Sequence, residues 1–221
     1  MFRKVLVSTL LVLAVTSAAW AQPPKVEIGG LFGYTLADGV SGNPVKAGDG
    51  NTYDRVDARD SMHFGASLGF FLTRSVQIGF LWRRQATSLE VSGTTATDLA
   101  DINIDGYHFF GAYYFGDPDG KMRLYLLGGI GATHYGGISF PTAAGTRSVN
   151  GNMQFSTTWG AGVKMYASPN VGVQAGIQWT PTYIKSDAAG WWCDPYWGCY
   201  LVGDSQYSNQ LEFVGGLTFR F

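Results

Sequence analysis

Apolar and polar residues alternate with a period of two over long stretches of this chain, and that pattern constrains its fold more than any other feature. Met153, Phe155, Trp159, Ala161, Val163 and Met165 share one parity, whereas Gln154, Ser156, Thr158, Gly160, Gly162 and Lys164 share the other. Val171, Val173, Ala175, Ile177 and Trp179 then alternate with Gly172, Gln174, Gly176, Gln178 and Thr180. Leu211, Phe213, Leu217, Phe219 and Phe221 alternate with Gln210, Glu212, Thr218 and Arg220, and Val214 breaks the second set mildly. Successive side chains of a β-strand point to opposite faces, so each stretch reads as a strand with one apolar and one polar face. Helical periodicity is weak throughout. Strands are expected near 25–36, 62–72, 76–88, 104–115, 121–135, 153–166, 171–184 and 209–221. The fourth, YHFFGAYYFG, is aromatic on both parities, so the pattern leaves its facing open.

The connections between these strands alternate in length. Thr73-Arg74-Ser75, the GDPDG of Gly116 to Gly120 and the ASPN of Ala167 to Asn170 are tight turns. Between them lie long polar segments near 37–61, 89–103, 136–152 and 185–208. A soluble meander has no reason to sort its loops in this way. A transmembrane barrel does, with short periplasmic turns, long external loops and an even strand number.

The N-terminus bears on the compartment. Arg3 and Lys4 precede an apolar run from Val5 to about Val15, followed by Ala19-Trp20-Ala21. This is the pattern of a secretory signal with an A-x-A cleavage site, and the run is shorter than the about 20 apolar residues of a membrane helix. Residues 1–21 are expected to be a cleaved signal peptide and 22–221 a single β-barrel domain. Charged residues make up only 14% of the chain, against about 25% in an ordinary soluble domain. The formal net charge of −1 argues against a nucleic-acid footprint.

Alternation alone does not say which face meets which solvent. A soluble β-sandwich or lipocalin-like barrel turns its apolar face inward. An outer-membrane barrel inverts this, with lipid outside and a polar interior. The signal peptide, the sorted loops and the chain end GGLTFRF favour the second arrangement. A terminal strand that closes a barrel stays ordered to its last residue, because an open edge in lipid leaves backbone groups unpaired.

On these residues the chain resembles small eight-stranded outer-membrane barrels of the OmpA/OmpX type, the porin-family β-barrel group. The resemblance spans the whole mature chain and implies an all-β, antiparallel, up-and-down transmembrane barrel in the outer membrane of a Gram-negative-type bacterium. It also implies that Phe221, ending the alternating "TFRF", acts as part of the signal read by the barrel-assembly machinery. Outer-membrane lipid and lipopolysaccharide are the other expected partners. The periplasmic peptidoglycan-binding domain of OmpA itself has no counterpart after the eighth strand, so cell-wall anchoring is not implied.

Motifs that suggest other chemistry are weak. Gly65 to Gly69 fits G-x-S-x-G, but a nucleophile elbow needs a strand-to-helix turn, and Ser67 lies within an alternating strand. Of the three histidines, His63 and His134 are expected near the outer rim, where lipid-modifying barrels carry His and Ser. Neither has the His-x-Ser-Asn context of the deacylase family, His134 being followed by Tyr135-Gly136-Gly137. Cys193 and Cys199, the only cysteines, fit no usual zinc spacing; export makes a disulfide the expected pairing. Asp49, Asn51, Asp54, Asp57 and Asp60 make the first loop acidic, but Asp54 stands where an EF-hand needs glycine. No cofactor or metal is expected.

The inward parity carries Glu27, Arg83, Arg123, Lys164, Glu212 and Arg220. An eight-stranded barrel is just wide enough for side chains to fill, so these charges should pair across the bore and obstruct it. Glu27 and Arg220 are the best candidate pair, because the first and last strands must join. The last long loop holds WWCDPYWGCY, whose Trp191, Trp192, Tyr196, Trp197 and Tyr200 either form a mini-core or present a surface-binding patch. The expected role is therefore structural or in surface interaction (adhesion-like) through the external loops, without enzymatic activity. A narrow channel for small solutes is the alternative, and a lipid-modifying enzyme is a second.

Overall fold

In lipid, a sheet must close on itself to satisfy its backbone groups, and the eight predicted strands do so. The computed structural model describes residues 25–46, 52–93, 96–142, 145–184, 193–194, 198–199 and 206–221. The barrel strands are β1 (Val26–Ala37), β2 (Ser61–Phe71), β3 (Val76–Gly93), β4 (Thr97–Phe115), β5 (Met122–Tyr135), β6 (Asn152–Tyr166), β7 (Val171–Ile184) and β8 (Gln206–Arg220). Each pairs antiparallel with its sequence neighbour, and β1 pairs with β8 to close the sheet. The closing register sets Glu27 opposite Arg220 and Leu36 opposite Leu211. Beyond it, the Phe221 amide donates to the Val26 carbonyl at 2.9 Å, and the Phe221 carbonyl accepts from the Lys25 amide at 2.9 Å.

The tight turns are built by their own side chains. Thr73 Oγ1 accepts from the amides of Ser75 and Val76 at 3.2 and 3.0 Å. Asp117 Oδ1 accepts from the Asp119 amide at 3.0 Å, and Gly116 takes a φ of 89°, a conformation that favours glycine.

The other end differs from the loops expected there. The segments near 89–103 are not irregular: β3 runs to Gly93, β4 starts at Thr97, and the two pair as far as Val91 opposite Thr97. Within 37–61, Val40–Lys46 and Thr52–Ala58 form a hairpin, and its second strand pairs with the far end of β3. Within 136–152, Ile138–Thr142 pairs with Gly145–Val149. Polar composition misled here, because a two-stranded ribbon in water needs no apolar face toward lipid.

The facing of the strands follows the predicted parity. Ile177 is 49% exposed and faces lipid, whereas Gln178 is 6% exposed and faces the lumen. In β4, whose pattern left the facing open, Phe109 and Tyr113 point outward while His108, Phe110 and Tyr114 fill the interior. Val214, the apparent break in β8, is an inward residue buried against other apolar lumen side chains. Outward indoles settle their N–H groups locally: Trp159 Nε1 donates to Thr157 Oγ1 and Trp179 Nε1 to Asn209 Oδ1, both at 3.2 Å. Toward the outer edge, Arg84 holds Asp105 through two hydrogen bonds of 2.7 and 2.9 Å. That charged pair on the outward face marks where lipid gives way to water, since a charge at the bilayer midplane of a barrel costs about 2–4 kcal/mol.

Candidate functional site

The interior of the barrel is stratified along its axis. At the periplasmic end Glu27 accepts from Lys164 Nζ, from Arg220 Nε at 2.9 Å and from the Tyr166 hydroxyl at 3.2 Å. Gln77 Nε2 also donates to it, at 3.3 Å. The predicted Glu27–Arg220 pair is thus present, with Lys164 as a second cation on the same carboxylate. Register accounts for the first pair, since Glu27 and Arg220 are direct cross-strand neighbours. Lys164 arrives from β6, across the bore. The Arg220 guanidinium lies over the Tyr166 ring at 3.6 Å and also meets the Tyr166 hydroxyl, adding a cation–π contact to the network.

Above this layer, Leu31, Leu81, Phe110, Ala112, Tyr114, Tyr125 and Val214 form a buried apolar cluster. The Tyr114 hydroxyl donates to Gln77 Oε1 at 2.7 Å, which ties the cluster to the charged layer. A polar layer follows. Arg83 pairs with Glu212, and its other nitrogen reaches Gln210 Oε1 at 3.4 Å. His63 Nδ1 and Thr35 Oγ1 lie 2.9 Å apart, and His108 Nε2 and Ser156 Oγ lie 2.8 Å apart. Thr182 Oγ1 donates to Thr133 Oγ1, and Thr133 Oγ1 to Ser156 Oγ, at 3.1 and 3.0 Å.

Toward the outer mouth lies a second apolar cluster, of Val40, Leu89, Ile102, Ile104, Tyr135, Ile138 and Ile184. Two of its members, Val40 and Ile138, come from the external hairpins. Fully burying one such side chain is worth about 1.5–3 kcal/mol, so unpacking the cluster costs on the order of 10 kcal/mol. Sequence reading missed this plug. The signal was present: Leu89 and Val91 continue the inward parity of Arg83 and Gln85, so beyond the polar layer the inward face of β3 turns apolar again.

All six predicted interior charges are buried in the lumen, each 8% exposed or less. Five of them join the two ion-pair groups. Arg123 is different: its Nη2 donates to the Arg74 carbonyl at 2.7 Å, its guanidinium lies over Tyr114 at 4.9 Å, and its Nε has no hydrogen-bond partner among the described residues. His63 and His108 both face the lumen; His63, two residues into β2 and opposite Gln85, lies toward the outer end as expected, with its side chain turned inward. His134 lies opposite Asp105, on the outward face near the outer edge. Ser67 faces the lumen across from Gly29, inside a strand that continues without a helix. In the acidic first loop, Asp57 pairs with Arg55 at 2.7 Å and Asp60 Oδ1 accepts from the Ala37 amide at 2.9 Å.

In the last long loop, Cys193–Asp194 and Gly198–Cys199 form a small antiparallel ladder that sets Cys193 opposite Cys199. Trp191, Trp192, Tyr196, Trp197 and Tyr200 lie outside the described residues, as do residues 1–24 with the expected signal peptide.

A family model described as the OprF membrane domain matches residues 50–193. Among solved structures, the outer membrane protein OprG from Pseudomonas aeruginosa is similar, with 13% identity, a TM-score of 0.58 and coverage of 90% of this chain and 97% of that one. Neisserial surface protein A is also similar, with 13% identity, a TM-score of 0.54 and coverage of 89% of this chain and 97% of that one. At such identities the likeness concerns the fold. No curated protein matches the sequence.

Proposed function

This chain belongs to the OprF membrane domain family, and from its outer-membrane barrel architecture we propose a surface-interaction role in which the barrel is a closed pedestal for its external loops. The observation that carries this reading is the apolar plug at the outer mouth, in which Val40 and Ile138 of the external hairpins pack on Leu89, Ile102, Ile104, Tyr135 and Ile184. The plug does two things at once. It interrupts any polar path through the lumen, and it holds two external hairpins against the barrel wall, where they offer a preorganised surface. Binding to a preorganised surface avoids part of the entropy cost of ordering loops.

The same geometry favours this reading over the alternatives. A narrow channel would need both apolar clusters and the Glu27 and Glu212 ion pairs to part. A lipid-modifying enzyme would need a nucleophile beside a histidine on the lipid-facing rim, whereas Ser67, His63 and His108 face the lumen and His134 on the outward face belongs to a different strand from Ser67. Within this reading, the Cys193–Cys199 pairing is a disulfide that holds the tip of the last loop, and its aromatics belong to the binding surface.

Two measurements test the proposal together. Purified barrel in planar bilayers should give no discrete conductance steps. Cells displaying the protein should gain attachment to a host-type surface, and should lose it when residues 185–205, which lie between β7 and β8, are replaced by a short Gly/Ser linker while heat-modifiable migration is retained. Steady single-channel steps in the parent protein would return the channel. Altered lipid A in an expressing strain would return the enzyme.

A further inference from the structure

The periplasmic mouth contains a cavity of about 270 Å³ between the β2–β3 turn, the β4–β5 turn and the two ends of the barrel seam. Its charged lining is Lys25, Arg74, Arg123, Arg220 and Asp119, with Thr73 beside them. Two of these cations are already matched. Arg74 pairs with Asp119 at 3.3 Å, and Arg220 pairs with Glu27 at 2.9 Å. Glu27 is also claimed by Lys164, so it has no further charge to offer. Among the described residues, Lys25 and Arg123 have no carboxylate partner within ion-pair distance.

Arg123 is the telling residue. It is only 2% exposed, and its Nε–H has no acceptor among the described residues. A buried cation left without a counter-charge costs several kcal/mol, and barrels have ample means to avoid it. Glutamine would fill much of the same space without a charge. Arg123 lines the basic cavity, and its planar guanidinium is a donor set that matches an oxyanion.

We propose that this vestibule binds a phosphate group, with Arg123 as the enclosed donor and Lys25 and Arg74 as the charges at the rim. Phosphate chemistry fits better than a carboxylate because the lining brings together cations from three separate elements, Lys25 before β1, Arg74 of the β2–β3 turn and Arg123 of β5, and a tetrahedral dianion carries more charge and more acceptor oxygens to share among them. The group has two natural sources at this depth. Phe71, Leu72 and Pro118 supply apolar lining, and Leu72 is 62% exposed, which suits a phospholipid headgroup of the periplasmic leaflet with its adjoining apolar chain. Free phosphate in the periplasm has an open path as well. The site lies at the opposite end of the barrel from the external surface proposed above and does not depend on it.

The test uses the folded chain in a maltoside detergent and phosphate-free buffer, with side-chain nitrogen NMR of the arginine Nε–H groups. Inorganic phosphate added at constant ionic strength should shift the Arg123 Nε–H resonance saturably. Lys25→Gln and Arg74→Gln, both at the exposed rim, should each weaken the fitted Kd by about three-fold, the scale of one exposed charge. Arg123→Gln should abolish saturable binding; if it does not fold, the two rim variants and the resonance itself still decide. A short-chain phosphatidylglycerol arm distinguishes the sources: a shift with that lipid and none with inorganic phosphate assigns the site to a headgroup, and a shift with both assigns it to the phosphate itself. No shift in either arm overturns the proposal. So does a non-saturating shift reproduced by chloride, because that is screening and not a site.

Discussion

Replacing Glu27 by glutamine should be among the most damaging single changes in the barrel, and the structure says by how much. The carboxylate serves Lys164, Arg220, Tyr166 and Gln77 in a layer where it is 3% exposed. Glu27→Gln keeps the shape but removes the carboxylate that those two buried cations share. Breaking a buried pair by deleting one partner costs about 3–5 kcal/mol, because the uncompensated charge stays behind. Lys164→Met should cost less, about 1–2 kcal/mol, since Glu27 keeps Arg220 and both neutral donors. Combining the two removes the surplus cation, so the double variant should regain at least about 1 kcal/mol relative to Glu27→Gln alone. Equilibrium urea unfolding in phospholipid bilayers, followed by tryptophan emission and by gel migration with and without boiling, measures all three. A Glu27→Gln loss below about 1 kcal/mol would refute the argument. Strict additivity of the two single variants would refute it too, because it would mean that Glu27 and Lys164 do not interact.

Three further outcomes are expected. Ile177→Arg places a charge against lipid and should cost about 2–4 kcal/mol if it lies near the midplane; Gln178→Arg faces the lumen opposite Glu212 and should cost less, as the same unfolding assay can rank. Deleting Phe221 removes the hydrogen bonds to Lys25 and Val26 that extend the β1–β8 seam, and should lower the yield of heat-modifiable protein in the outer membrane. Reducing the protein should increase protease nicking within 185–208 while leaving heat-modifiability intact, and peptide mass spectrometry of unreduced protein should find Cys193 joined to Cys199; free thiols at both positions would remove the disulfide from the account.

Much of the barrel was legible in the residues because lipid imposes a strict rule. Every residue of a spanning strand faces either hydrocarbon or the lumen, so period two is written plainly, and Ile177 and Gln178 could be assigned to opposite faces without coordinates. The tight turns were equally readable, because Thr73, Asp117 and Gly116 do local backbone work. The Glu27–Arg220 pair followed from closure, which makes the first and last strands neighbours wherever the chain lies between them. Tertiary structure alone decided what crosses the bore. Lys164 reaches Glu27 from β6, and Arg83 of β3 reaches Glu212 of β8, through a lumen whose width and register are properties of the closed sheet and of no single strand. The same holds for the mouth. Val40 and Ile138 lie in segments that read as polar loops, and they become buried only because the β3–β4 ribbon continues beyond the membrane and gives them Leu89, Ile102 and Ile104 to pack against. Arg123 had the parity of an interior charge, but its lack of a carboxylate appears only once the other cations have claimed theirs. Local sequence dictates which way a side chain points; closure of the sheet decides what it meets there.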